Sequence, residues 1–166
     1  CFTPDERAEA FVELGGADWI AEPQATGDLG RRMKSFFDDC FQRGADRVVL
    51  IGSDSPTMPA EYVESAFRLL REVDAVLGPT NDGGYYLVGM SRNVTEIFEE
   101  IDWSTSRVWE QTVARLGDLT LSYESLPLWY DVDELVDLER LRDELLRRAN
   151  DDLTPNELLA IINHVF

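Results

Sequence analysis

The stretch Arg47-Val48-Val49-Leu50-Ile51 is apolar without alternation and rich in β-branched residues, and Gly52-Ser53-Asp54-Ser55-Pro56 breaks it at once. A run of that length and composition predicts a strand covered on both faces. Such a strand needs layers on either side, and the rest of the chain supplies helices between strands. Residues 3–14 read as a helix with Thr3 as N-cap and Pro4 at the first helical position, ended by Gly15-Gly16. Residues 19–22 read as a short strand. Asp28 caps a helix whose Leu29, Met33, Phe36, Phe37, Cys40 and Phe41 recur on one face, and Gly44 closes it.

Pro59 begins a helix with Tyr62, Val63, Ala66, Phe67 and Leu70 turned inward. Residues 74–77 and 85–90 read as strands, the second entered through the turn Asn81-Asp82-Gly83-Gly84. Residues 107–116 read as helix and 119–123 alternate like a strand. A helix over 134–148 follows, and Thr154-Pro155-Asn156-Glu157 is a capping box that opens the last one. Strands alternating with helices predict a single domain over 1–166, a three-layer α/β/α sandwich with a mainly parallel sheet.

Charge limits what such a domain can bind. Asp and Glu number 33 against 15 Lys and Arg, a net charge of −18, and Lys34 is the only lysine. Nucleic-acid affinity comes largely from cationic side chains neutralising phosphates, so a nucleic-acid binder is excluded. A bare nucleotide would be repelled as well, unless a divalent cation or a local basic patch offsets the field. No apolar run approaches the roughly 18 residues that span a bilayer. Nor does the start show a basic region followed by an apolar stretch, and the expectation is a cytoplasmic protein. Cys1, Cys40 and His164 lack the spacing of a zinc site, and His164 has no serine partner suited to nucleophilic catalysis.

In open α/β sheets, ligands bind beyond the carboxyl ends of the strands, so the polar segments after the strands are the candidate site. Four stand out. Ser53, Asp54 and Pro56 follow the most buried strand, where a carboxylate can hold Mg²⁺ against a diphosphate; a plain turn with Asp54 and Ser55 bonding their own backbone explains the residues equally well. Asp131 and Asp133 alternate along an extended stretch, and Asp133 is also a natural N-cap for the helix that follows. Asp82, Gly83, Gly84 and Tyr85 form a turn that lets backbone approach a ligand, or simply joins two strands. Gly27, Asp28, Gly30 and Arg32 put amides and arginines at a helix N-terminus, suited to an anion or a base edge, with Asp28 an ordinary cap in the alternative.

Together and in this order, GDLGRRM (27–33), VVLIGSDSP (48–56), GPTNDGGYYLVG (78–89), DWSTSRVWEQT (102–112) and DVDELVDL (131–138) resemble one family. It comprises the glycosyltransferase-A-like transferases often encoded beside radical-SAM proteins, relatives of the phospholactate guanylyltransferases and molybdopterin nucleotidyltransferases. The resemblance runs from about Glu22 to Leu141. It implies a nucleotide-diphospho-sugar transferase fold with a nucleotide over the C-terminal edge of the sheet. It also implies catalytic and metal roles for Asp54 and Asp133, with Asp131 close by and Mg²⁺ or Mn²⁺ as the ion. Gly27, Asp28, Gly30 and Arg32, with Ser53 and Pro56, would then face the nucleotide. Asp82, Gly83, Gly84, Tyr85, Trp103, Ser104 and Thr105 would line the donor-sugar or acceptor pocket.

Two departures from the family pattern shape the expectation. Members begin with a strand and a Gly-, Lys- and Arg-rich loop that cradles phosphates; here Cys1-Phe2-Thr3-Pro4 resembles the end of the second strand, so the domain reads as N-terminally truncated. Glu134-Leu135-Val136 stands where Thr-Pro-Glu is usual. The leading expectation is a Mg²⁺-dependent transferase using a nucleotide-sugar donor and a small-molecule acceptor. A nucleotidyltransferase that takes a nucleoside triphosphate comes second. A non-catalytic acidic binding module, motivated by the missing basic loop, comes third. A strand edge left open by truncation would suit a homodimer.

Overall fold

The computed structural model describes residues 9, 20–149 and 162. Apart from Glu9, which is helical, the predicted first helix lies outside the described residues, as do Trp19, the capping box at Thr154 and His164. Ile20 to Glu22 form no strand, and Pro23 makes only an isolated bridge.

Helix α1 (Leu29–Gln42) starts where expected: Asp28 has extended backbone, and its Oδ1 accepts from the Arg31 amide at 2.8 Å. Strand β1 (Val48–Ile51) follows, then α2 (Ala60–Leu69), β2 (Ala75–Pro79) and β3 (Tyr85–Met90). Among the described residues β1 is an edge strand, with only Val48 buried and Ile51 exposed. Contrary to expectation it is therefore not the most buried strand; β2 and β3 are. A 3₁₀ turn (Thr95–Phe98), α3 (Val108–Asp118), β4 (Tyr123–Ser125) and α4 (Leu135–Ala149) complete the described chain. The strand read over 119–123 begins later, at Tyr123. Amides of Leu119, Thr120 and Leu121 still bond carbonyls of Arg115, Gly117 and Leu116, so the chain is finishing α3 there. Thr120 takes a positive φ of 56° to make that stop.

The sheet runs β1-β3-β2-β4. It is mixed rather than mainly parallel among the described residues: β3 pairs antiparallel with both β1 and β2, and only β2 and β4 pair in parallel. The cause is the turn at residues 80–84, which is too short for a crossover helix and returns the chain directly alongside β2. β1, β2 and β4 nevertheless end at the same edge, so their exit loops still converge.

Period-two alternation sorts the sheet into two covered faces. Leu77, Val88 and Met90 pack with Met33 and Phe37 of α1, Leu116 of α3 and Phe98. Val76 and Leu87 pack on the other face with Ala66 of α2, Leu70 and Leu126. Helices therefore lie on both sides of the sheet, which is the expected α/β/α layering. Phe67, expected inward, is 41% exposed, while Ala66 and Leu70 carry the inner face of α2. Among the described residues no helix is long and apolar enough to cross a membrane.

Asp74 ties down the edge of the sheet opposite the exit loops. Its Oδ1 accepts from Arg92 Nε at 2.7 Å, and its Oδ2 accepts from the amide and hydroxyl of Ser122 at 2.9 and 2.8 Å. The Arg92 hydrogen bond, followed by those from Ser122, holds this carboxyl below its ordinary value of 3.8. A depressed folded pKa means stability present above the ordinary value and lost as pH falls through the folded one. Asp74→Asn is therefore expected to destabilise at pH 7 and to lose less stability on acidification below about pH 4, measured by urea denaturation across pH. An unchanged acid limb in the variant would contradict this.

Candidate functional site

The loop leaving β1 is fixed against two neighbours. Gly52 donates its amide to the Tyr86 carbonyl at 2.9 Å, continuing the β1–β3 ladder. The Ser55 hydroxyl donates to the Tyr130 carbonyl at 2.9 Å, and the Val132 amide donates to the Asp54 carbonyl at 2.9 Å. Asp54 thus sits beside the segment that carries Asp131 and Asp133, joined to it through backbone. Its Oδ1 accepts from the Ser53 hydroxyl at 2.8 Å.

The turn after β2 is built around Asp82. Asp82 Oδ1 accepts from the Thr80 hydroxyl and from the Gly84 amide, the latter at 2.9 Å. Gly83 has φ +90°, and a Cβ there would collide with the Ser106 backbone. Its carbonyl accepts from the Trp109 amide at 2.8 Å, so the glycine serves close packing of the turn on the start of α3. Thr80 also bridges Trp129 in parallel, which lays residues 129–133 alongside the turn.

That register brings three carboxylates together. Oxygen atoms of Asp82, Asp131 and Asp133 all lie within 4.8 Å of one another, with Asp131 half-buried and the other two exposed. Burial raises the Asp131 pKa above its ordinary value. The charges of Asp82, Asp133 and Asp137 add to the rise, and a backbone hydrogen bond opposes it. Asp133 does not cap α4. Asp137 instead reaches back to accept from the Glu134 amide at 3.0 Å and the Asp133 amide at 3.4 Å. Asp54 is not one of the three clustered carboxylates.

Asp54 lines a cavity of about 800 Å³ between α1 and the β1–β3 edge, together with Ser53, Arg32, Phe36, Arg43 and Tyr86. Arg43 is neutralised by Glu22 at 2.8 Å and Asp39 at 2.6 Å. Arg32 bonds neutral oxygens only among the described residues: its Nε donates to the Gly27 carbonyl at 2.9 Å and its Nη1 to Gln24 Oε1 at 3.4 Å. Its charge therefore remains available to an anion in the cavity.

Gly27, Asp28 and Gly30 stand at the start of α1 and do not line the cavity; a Cβ on Gly30 would strike the Trp103 indole. Trp103 packs against Tyr85 and Phe98, with ring centroids 6.4 and 6.1 Å away. Tyr85 lines the cavity, and burial pushes its phenol far up. Ser104 takes a φ of 62°, and the Thr105 hydroxyl donates to the Asp102 carbonyl at 2.7 Å, which shapes the loop before α3. Pro56 lies outside the cavity lining.

Sequence reasoning missed Phe36, Asp39 and Arg43 as cavity residues. Their signal was available: with Arg32 they recur at steps of four, three and four, one stripe of a helix. It also assigned Asp82 to a substrate pocket and did not join it to the Asp131–Asp133 pair.

The chain is similar to known proteins over much of its length. Residues 1–105 match the family described as "Uncharacterized protein conserved in bacteria (DUF2064)", which is more than half of the chain. A 3-phospho-D-glycerate guanylyltransferase from Phenylobacterium zucineum (strain HLK1) is 33% identical over 98 residues, 55% of this chain. The matched region spans only 43% of that relative's length. A crystal structure from Desulfovibrio desulfuricans G20, described provisionally as a nucleotide-diphospho-sugar transferase, superposes with a TM-score of 0.84 at 32% identity. The match covers 98% of this chain and 70% of that one.

Proposed function

Starting from a chain that belongs to the bacterial DUF2064 family, we propose that it is a divalent-cation-dependent transferase acting on a nucleotide donor. The observation that carries this reading is the convergence of Asp82, Asp131 and Asp133 at the exit edge of the sheet, beside the cavity that Asp54 and Arg32 line.

An all-carboxylate donor set fits a hard cation such as Mg²⁺ or Mn²⁺, which takes oxygen ligands and shares them with phosphates. Burial first, and then the charges of Asp82, Asp133 and Asp137, raise the Asp131 pKa, and a cation bound there would relieve the charge crowding. When bound, the cation would offset the negative charge that builds on a leaving phosphate or diphosphate. Asp54 adds a carboxylate to the cavity lining, and its backbone carbonyl is bonded to Val132, the residue between Asp131 and Asp133. Arg32 supplies the cavity with positive charge in a chain of net charge −18. Phe36, Leu50 and Tyr86 give it apolar wall against which a base can lie.

The leading chemistry is transfer of a glycosyl group from a nucleotide sugar to a small acceptor, supported by the likeness to the structure from D. desulfuricans. Nucleotidyl transfer from a nucleoside triphosphate is the second reading, favoured by the guanylyltransferase relative. Thermal melting of the full protein with Mg²⁺ and a panel of nucleotide sugars and triphosphates tests both. We expect one class to raise the melting temperature by several degrees at saturating ligand, following the usual linkage of binding to stability. Release of pyrophosphate from a triphosphate then selects nucleotidyl transfer, and a free nucleoside diphosphate selects glycosyl transfer. A melting temperature indifferent to both classes would sink the enzyme reading and leave an acidic binding module.

A further inference from the structure

A largely buried polar cluster is anchored on Tyr130, the residue before Asp131. The Tyr130 side chain is 2% exposed, and its hydroxyl donates to Glu144 Oε2 of α4 at 2.6 Å. The Thr57 hydroxyl, on the loop from β1 to α2, lies 3.1 Å from both the Tyr130 hydroxyl and the same Glu144 oxygen. The Arg140 guanidinium, one turn earlier in α4, covers the Tyr130 ring at 3.7 Å from its centroid.

Tyr130 is thus tied by its side chain to Thr57 and α4, and by its carbonyl to Ser55. The next residue is Asp131, and the one after it donates its amide to Asp54. Buried polar clusters of this kind give little net stability over an apolar filling of the same shape. What they supply is a defined geometry, because only one arrangement satisfies every partner.

We propose that Tyr130 is a positioning residue for the cation site: its hydroxyl, held by Thr57 and Glu144, sets where Asp131 and Asp133 stand relative to the Asp54 loop. Helix α4 then governs cation affinity without offering a ligand. This inference rests on the cation reading above. Groups that orient ligands from behind change metal affinity when removed, by about ten-fold or more.

The test is a Mn²⁺ titration of the full protein, without nucleotide, with free Mn²⁺ read by electron paramagnetic resonance. Tyr130→Phe removes only the hydroxyl, and Glu144→Ala removes its acceptor; both are expected to weaken Mn²⁺ binding about ten-fold. Glu144→Gln keeps an oxygen that can accept from Tyr130, and is expected to bind close to wild type. A merely structural role for the cluster would not produce that rescue. Should Glu144→Ala fail to fold, the contrast between Tyr130→Phe and wild type carries the test alone. Wild-type affinity in Tyr130→Phe overturns the positioning role while leaving the cation reading intact. No Mn²⁺ binding by the wild-type protein overturns both.

Discussion

Asp131→Asn is expected to lower kcat/KM by roughly a hundred- to a thousand-fold, about 3–4 kcal/mol of transition-state stabilisation. The side chain keeps its shape and loses only its charge, and that charge is the half-buried one of the three that converge. The same substitution carries a second expectation of opposite sign. The folded pKa of Asp131 lies above its ordinary value of 3.8, so the ionised carboxylate costs stability at neutral pH. That cost vanishes as pH falls through the folded pKa, where the carboxyl takes up its proton. Asp131→Asn should therefore melt higher than wild type at pH 7 in the absence of cation, with the gain shrinking on acidification. Steady-state kinetics and melting curves with a chelator check the two halves together. A variant of unchanged stability and unchanged activity would show that the cluster is a solvated acidic surface.

Phe37→Ala is expected to cost about 3–5 kcal/mol of folding stability, the range for deleting a buried aromatic ring. Phe37 is fully buried, and its ring lies 5.8 Å from Phe36, 6.4 Å from Phe41 and 5.8 Å from Phe98, centroid to centroid. It joins α1 to the sheet face made by Leu77, Val88 and Met90, so no single neighbour can collapse into the space it leaves. Phe67→Ala is the control, since that ring is 41% exposed on α2. Urea denaturation should show a much lower midpoint for Phe37→Ala at a similar slope, and a small change for Phe67→Ala. Equal costs at the two positions would contradict the layering described for α1 and α2.

The layering was legible because burial leaves a mark on each element separately. The run Val48–Ile51 announces a strand, and Asp28 announces a helix start, with no knowledge of their neighbours. Strand direction leaves no such mark. Alternation of apolar residues is the same in parallel and antiparallel ladders, so β3 was read into a mainly parallel sheet. The turn at residues 80–84 held the missing information, since a connection that short can only make a hairpin.

The site was legible in its parts and not in its assembly. Each of Asp54, Asp82, Asp131 and Asp133 stands in a recognisable polar segment after a strand. That Asp82 joins the later pair depends on the register between Thr80 and Trp129, a tertiary fact with no local signature. Likewise the start of α4, where Asp137 reaches back to the Asp133 and Glu134 amides, depends on rotamers. Tyr130 gave no signal at all, because a lone aromatic residue in an extended stretch reads as core.

The central claim is that Asp82, Asp131 and Asp133 together form a divalent-cation site that serves a nucleotide. Isothermal titration of the full protein with Mn²⁺, in wild type and in Asp82→Asn/Asp131→Asn/Asp133→Asn, tests it most directly. The expected result is a saturable Mn²⁺ site in wild type that tightens when nucleotide is present and is lost in the triple variant. Mn²⁺ binding of undiminished affinity in the triple variant, with nucleotide coupling retained, would contradict it.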